Sequence, residues 1–370
     1  MLKNELKAAL AILGTVFVPV FAQADQSMSY SNNTGSSSSQ QAPAFYAGEE
    51  IRDNQTPMLP AGYAASAAYV CNDGYDVALS GEWLYLKWNQ DMSVGTLVDQ
   101  TAGITNGYNG SSERVNFNPG YASGFAVALA LNTPDMDSWS WGAKYRWYNN
   151  NSSNTVTATS AKKLVVDVRK DQDLIGEDYF AGTLTSHAKM NFQNVDAAIA
   201  RDFYIGKQLT LNLGSSLTAQ WIKQKFSSSG TLTAGTDVLS SISSEQKTWA
   251  LGPKLLFEPT FMLGWGFSVL AKVHTSALYT NYKTTAALAG SVAGTGFTGS
   301  YTGLDNVGNI VPAIESNLSL AWGSYFCDQA FHFDIVAGWD FNAYLGYNKL
   351  ADRNTNLILQ GFNLGVQFDF

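Results

Sequence analysis

Ten ionisable residues recur where they could act together. The acids are Glu82, Asp196, Glu258, Glu315, Asp334 and Asp340, the bases are Lys144, Arg146, Lys254 and Lys272, and His274 and His332 accompany them. Each shares its parity with small or polar residues, opposite bulky apolar ones. Rows of mixed charge on facing walls can form a polar constriction that tunes ion passage. They can equally form a salt-bridged plug that fills a narrow barrel. Catalysis is poorly supplied. A hydrolase needs Ser, His and a carboxylate or amide in hydrogen-bond reach. His187 falls in a long gap, while His332 neighbours Asp334 on one wall with no nucleophile marked. No Cys–His cluster has metal-ligand spacing. Gly294-Thr295-Gly296 opens no clear helix, so it makes no phosphate cradle. No catalytic residue, cofactor or metal is expected, and the chemistry is that of a lined lumen.

Strands must position these charges. Alternation predicts ten, near 77–88, 121–131, 139–148, 194–204, 209–223, 248–258, 266–280, 311–325, 331–344 and 357–370. Long and short gaps alternate throughout, the long ones including 89–120, 149–193, 224–247 and 281–310. This predicts an all-β fold, a transmembrane antiparallel β-barrel with short periplasmic turns, long outside loops and both termini periplasmic. Leu164-Val165-Val166-Asp167-Val168 could add a hairpin and raise the count to twelve. The faces sort by bulk. Trp139, Trp141, Ala143, Tyr145 and Trp147 oppose Ser140, Gly142, Lys144, Arg146 and Tyr148. Phe331, Phe333, Ile335, Ala337, Trp339 and Phe341 oppose His332, Asp334, Val336, Gly338, Asp340 and Asn342. The bulky face suits lipid and the other a crowded or wet interior. Trp88, Trp147, Trp221 and Trp249 are expected at the outer interface, and Trp139, Trp141 and Trp322 at the periplasmic one.

The ends carry targeting signals. Residues 1–24 begin with Lys3 and Lys7, continue through an apolar run and finish Ala22-Gln23-Ala24, the layout of a cleaved signal peptide. Residues 25–74 form a periplasmic lead rich in Ser, Asn and Gln, and residues 75–370 are assigned to the barrel. Phe362, Leu364, Val366, Phe368 and Phe370 make an apolar stripe, and a terminal Phe closing such a strand resembles the signal read by the barrel assembly machinery of a Gram-negative outer membrane. Composition agrees. Charged residues are 14%, against about 25% in a typical soluble domain. The mature chain has no apolar run of about 18 residues, so a barrel is the membrane class that fits. The net charge is −8. Removing residues 1–24, which carry +1 from Lys3, Lys7 and Glu5, leaves −9, which argues against nucleic acid as a partner. Two cysteines, Cys71 and Cys327, are too few for a disulfide framework. Both are expected on the periplasmic side, where a bridge between them is feasible and two unpaired thiols equally so.

Four segments carry a resemblance. They are Asn118-Pro119-Gly120-Tyr121-Ala122-Ser123-Gly124-Phe125, Asn194-Val195-Asp196-Ala197-Ala198-Ile199-Ala200-Arg201-Asp202-Phe203, Trp249-Ala250-Leu251-Gly252-Pro253-Lys254 and Ala337-Gly338-Trp339-Asp340-Phe341. In order and spacing they look like the Legionella major outer membrane protein family, which also has members in environmental Chlamydiae. The resemblance covers roughly residues 75–370. It implies a porin-like pore in outer-membrane lipid for ions and small hydrophilic solutes. Ala126 stands where a basic residue is expected after Gly124-Phe125, so the lumen charges of relatives guide little here. Resemblance to chlamydial outer-membrane proteins further implies cross-links to neighbouring envelope proteins, and a homo-oligomer stays open as the other partner. The competing class is a structural or adhesive surface protein whose barrel is only an anchor.

Overall fold

The computed structural model describes residues 76–90, 93–99, 112–133, 139–158, 162–166, 179–205, 208–234, 237–292, 295–327, 330–349 and 355–370. Thirteen strands follow in order: β1 (Asp76–Gln90), β2 (Ser93–Asp99), β3 (Ser112–Asn116), β4 (Ala122–Thr133), β5 (Trp139–Thr157), β6 (Lys162–Val166), β7 (Tyr179–Tyr204), β8 (Leu209–Ala234), β9 (Asp237–Gly264), β10 (Phe267–Val292), β11 (Thr295–Phe326), β12 (Phe331–Asn348) and β13 (Thr355–Asp369). Among the described residues no helix is long and apolar enough to cross a membrane.

Ten strands close into an antiparallel ring, in the order β1, β4, β5, β7, β8, β9, β10, β11, β12, β13 and back to β1. First and last strands pair from Ala78↔Asp369 to Gln90↔Leu357. The seam reaches the terminus, where Val77 N donates to Phe370 O at 2.7 Å and Phe370 N donates to Val77 O at 3.0 Å. A period of two explains the wall. On β9 the outward positions Phe261, Phe257, Leu255, Leu251 and Trp249 are all apolar. From Phe261 to Trp249 they cover ~40 Å of strand, or ~30 Å of membrane at a tilt of about 40°.

Three expectations need correction. The long gaps are largely strand: β8 and β9 continue as a hairpin to Ala234 and Asp237, and β10 and β11 to Val292 and Thr295. Ser, Thr, Gly and Ala dominate these extensions, as in Ser227-Ser228-Ser229-Gly230, so no sustained apolar alternation marks them as strands. The segment expected to raise the count to twelve does not enter the ring. β6 pairs with β2 and with Tyr179–Ala181 at the far end of β7, beyond the closed barrel. Trp88 is not at the interface. It is buried in the lumen against Phe117, because it lies an even number of residues from Glu82 and so shares its face.

The β9–β10 turn has two residues. Trp265 and Gly266 both have positive φ, 54° and 81°, as a two-residue primed hairpin turn requires. A Cβ at Gly266 would also lie 2.4 Å from the Gly323 carbonyl oxygen. Cys327, with φ 52°, sits exposed in the β11–β12 turn. Cys71, the signal peptide and the lead lie outside the described residues.

Candidate functional site in the lumen

The inward faces make two unlike layers. The periplasmic half holds a cavity of about 420 Å³. Its walls include Glu82, Lys144, Arg146, Asp196, Glu258, Lys272, His274, Glu315, Asp334 and Asp340. Lys254 is buried beside them, and His332 is buried at the periplasmic end.

The charges pair by height. Near the periplasmic mouth His332 Nδ1 lies 2.9 Å from Asp369 Oδ2 and 3.3 Å from Asp334 Oδ2. These three residues could offer ligand atoms within 4.8 Å of one another. Gly323 makes room for them, since a Cβ there would lie 2.1 Å from Asp334 Oδ1. Further in, His274 Nε2 meets Glu258 Oε1 at 2.6 Å, Lys144 Nζ donates to Glu82 Oε1 at 2.7 Å, and Asn317 Nδ2 donates to Asp340 Oδ1 at 2.9 Å. At the top of the cavity Lys254 Nζ bridges Asp196 Oδ1 at 3.0 Å and Glu315 Oε1 at 2.9 Å. Arg146 Nη1 reaches the other oxygen of Glu315 at 3.6 Å. β5 and β11 are five places apart either way round the ring, so this contact spans the lumen. Charges taken out of water in this way persist because each has a partner.

Two acids escaped the inward set. Asp202 and Asp369 also line the cavity. Asp202 shares the parity of Asp196, and Asp369 lies on the polar side of the terminal stripe, so alternation could have found both.

Above the charges the lumen turns apolar. Leu84, Leu86, Trp88, Met190, Phe192, Leu278, Tyr344 and Leu359 belong to one buried cluster in the outer half. One side of this layer is polar, carrying Gln220, Gln224, Gln246 and Thr248 on β8 and β9, all buried. Hydrogen bonds cross the lumen here too. Gln224 Nε2 donates to Gln90 Oε1 at 3.0 Å, Gln220 Nε2 donates to the Tyr344 hydroxyl at 3.3 Å, and Thr248 shares a hydrogen bond with the Tyr347 hydroxyl. The outer half of the barrel is therefore filled by side chains.

The outer wall completes the arrangement. Trp147, Gln193, Trp221 and Trp249 form one rung across four neighbouring strands. At the other edge Trp139, Trp322, Phe331, Phe368 and Phe370 are exposed. Aromatic belts at both edges of an apolar band, around a polar and packed interior, define a transmembrane β-barrel of the outer membrane. The chain belongs to the family described as Legionella pneumophila major outer membrane protein precursor, which it matches over residues 21–370.

No curated protein matches the chain. Similar solved structures include the outer membrane protease OmpT from Escherichia coli, at 10% identity and TM-score 0.38, covering 80% of this chain and 96% of that one. A FadL homologue of Pseudomonas aeruginosa is similar at 9% identity and TM-score 0.27, covering 80% and 90%. The toluene transporter TodX of Pseudomonas putida is similar at 8% identity and TM-score 0.24, covering 83% and 95%.

Proposed function

We propose that this barrel is a porin-like pore for ions and small hydrophilic solutes, closed in the present conformation, and that it is not an enzyme. The observation that carries the reading is the charge-lined cavity of about 420 Å³ beneath a layer with one polar wall. Charged walls suit hydrated ions, and an apolar constriction gates by excluding water until side chains part. Gln220, Gln224, Gln246 and Thr248 offer a polar seam past that constriction. Opening would have to separate Arg146 from Glu315 and swing Tyr344 aside.

A second reading rests on the hydrogen bonds that cross the lumen from Gln224 to Gln90 and from Gln220 to Tyr344. A barrel of about eight strands is just filled by side chains, and ten is close to that limit. The filled barrel would then anchor the outer hairpins as a structural or adhesive surface protein. Conductance of the refolded protein in planar bilayers separates the two. A pore gives discrete steps, and Tyr344→Ser, which thins the apolar layer, should enlarge them. Silence from both wild type and a folded Tyr344→Ser variant would leave the anchor reading standing.

A further inference from the structure

The outward wall changes character abruptly beyond the outer tryptophans. The next outward rung after Trp221 and Trp249 reads Asn191, Lys223, Lys247, Lys283 across β7 to β10. The rung after that reads Lys189, Lys225, Glu245, Thr285. Five lysines thus occupy four adjacent strands in a chain whose acids outnumber its bases, 30 to 22.

Lys223 stands directly opposite Lys247, and Lys247 directly opposite Lys283. Like charges placed so oppose folding. Glu245 answers part of this, with Lys225 at 2.7 Å, Lys247 at 3.0 Å and Lys223 at 3.2 Å. It is the one carboxylate on these two rungs from β7 to β10, and it leaves the patch strongly positive. On β11, Asp305 stands opposite Lys283 in the register. The lysines stay open to solvent, with 47%, 51% and 58% of the side chains of Lys223, Lys225 and Lys247 exposed.

Height identifies the occupant. Two residues of strand at a tilt of about 40° rise ~5 Å. The two rungs therefore lie ~5 and ~10 Å beyond the tryptophans, the depth of the headgroup layer. An ammonium there meets lipid phosphate rather than protein or solute, and Lys binds phosphate as a point charge. We infer that Lys189, Lys223, Lys225, Lys247 and Lys283 form a binding site for the phosphate groups of an outer-leaflet glycolipid, whose acyl chains lie against the apolar wall below.

The test is binding of bis-phosphorylated lipid A to the folded full-length protein in detergent, followed by native mass spectrometry. The triple variant Lys223→Gln/Lys225→Gln/Lys247→Gln should bind at least about tenfold more weakly. Glu245→Gln, which removes the opposing charge, should bind more tightly, a gain that a purely structural role for Glu245 would not produce. Dephosphorylated lipid A should bind wild type no better than the triple variant binds the phosphorylated form. Equal binding by wild type and triple variant, or weaker binding by Glu245→Gln, overturns the site. Displacement of the lipid by inorganic phosphate at matched phosphate concentration would show a free-anion site and overturn it as well. Heat-modifiable migration on gels reports folding. If the triple variant does not fold, Lys225→Gln and Glu245→Gln decide through their opposite signs.

Discussion

Lys254 is the residue on which the lumen charges converge, held between Asp196 and Glu315 with Arg146 on the far side of Glu315. Lys254→Met should destabilise the folded barrel by about 3–5 kcal/mol, because it removes the buried cation between two buried carboxylates and leaves Glu315 with Arg146 alone. Urea unfolding in lipid vesicles measures this, and a loss under about 1 kcal/mol would mean the carboxylates find other partners. Glu245, outside the membrane, makes a contrasting case. Its partial burial favours the neutral acid, but hydrogen bonds from Lys225, Lys247 and Lys223 outweigh that and hold the carboxyl at about 2, below the ordinary 4.5. A depressed carboxylate adds stability that is complete above its ordinary value and is lost as pH falls through the lowered one. The lysine contacts should therefore survive to about pH 3, and a carboxyl-carbon NMR titration should place the Glu245 midpoint near 2. A midpoint near 4.5 would contradict the triple contact. At this scale the sequence was informative about direction and not about partnership. Parity alone puts Glu82 and Lys144 on one face. It cannot say that Arg146 reaches an opposite strand, because ring order and strand stagger decide that contact.

Among the elements, β13 is the strand on which closure depends. Phe370 makes two hydrogen bonds to Val77, and its side chain joins the exposed aromatics at the periplasmic edge. Deleting Phe370 removes both bonds and the end of the apolar stripe. If Phe370 is part of an assembly signal, as we propose, outer-membrane fractions should then contain less heat-modifiable barrel, and normal abundance would count against that proposal. The membrane-spanning part of each strand was legible wherever lipid on one side and lumen on the other imposed alternation, as in β12 from Phe331 to Asn342. The outer continuations were not. Around Ser227-Ser228-Ser229 both faces carry small polar side chains, so nothing in the composition distinguishes a hairpin from a loop. Trp88 marks a different limit. Its chemistry suits an interface, yet its parity places it inside, and register outranks residue type in a strand.

For the molecule as a whole, among the described residues eight acids line the lumen cavity, namely Glu82, Asp196, Asp202, Glu258, Glu315, Asp334, Asp340 and Asp369, against Lys144, Arg146 and Lys272, with Lys254 buried beside them. If the barrel conducts, a mild cation preference should follow, since acidic walls favour cations. Reversal potentials across a salt gradient read it, and clear anion selectivity would contradict the charge balance. The seam between β1 and β13 carries one more consequence, for timing. Strands adjacent in the chain can pair as soon as both are present, but β1 waits for β13, the last strand of the ring, and Val77 for Phe370. Until that bond forms, two unpaired edges and a lipid-seeking wall face water together, a state prone to aggregation. The chain therefore has to be kept apart from its copies until β13 arrives, and its survival during export is a race between closure and clumping.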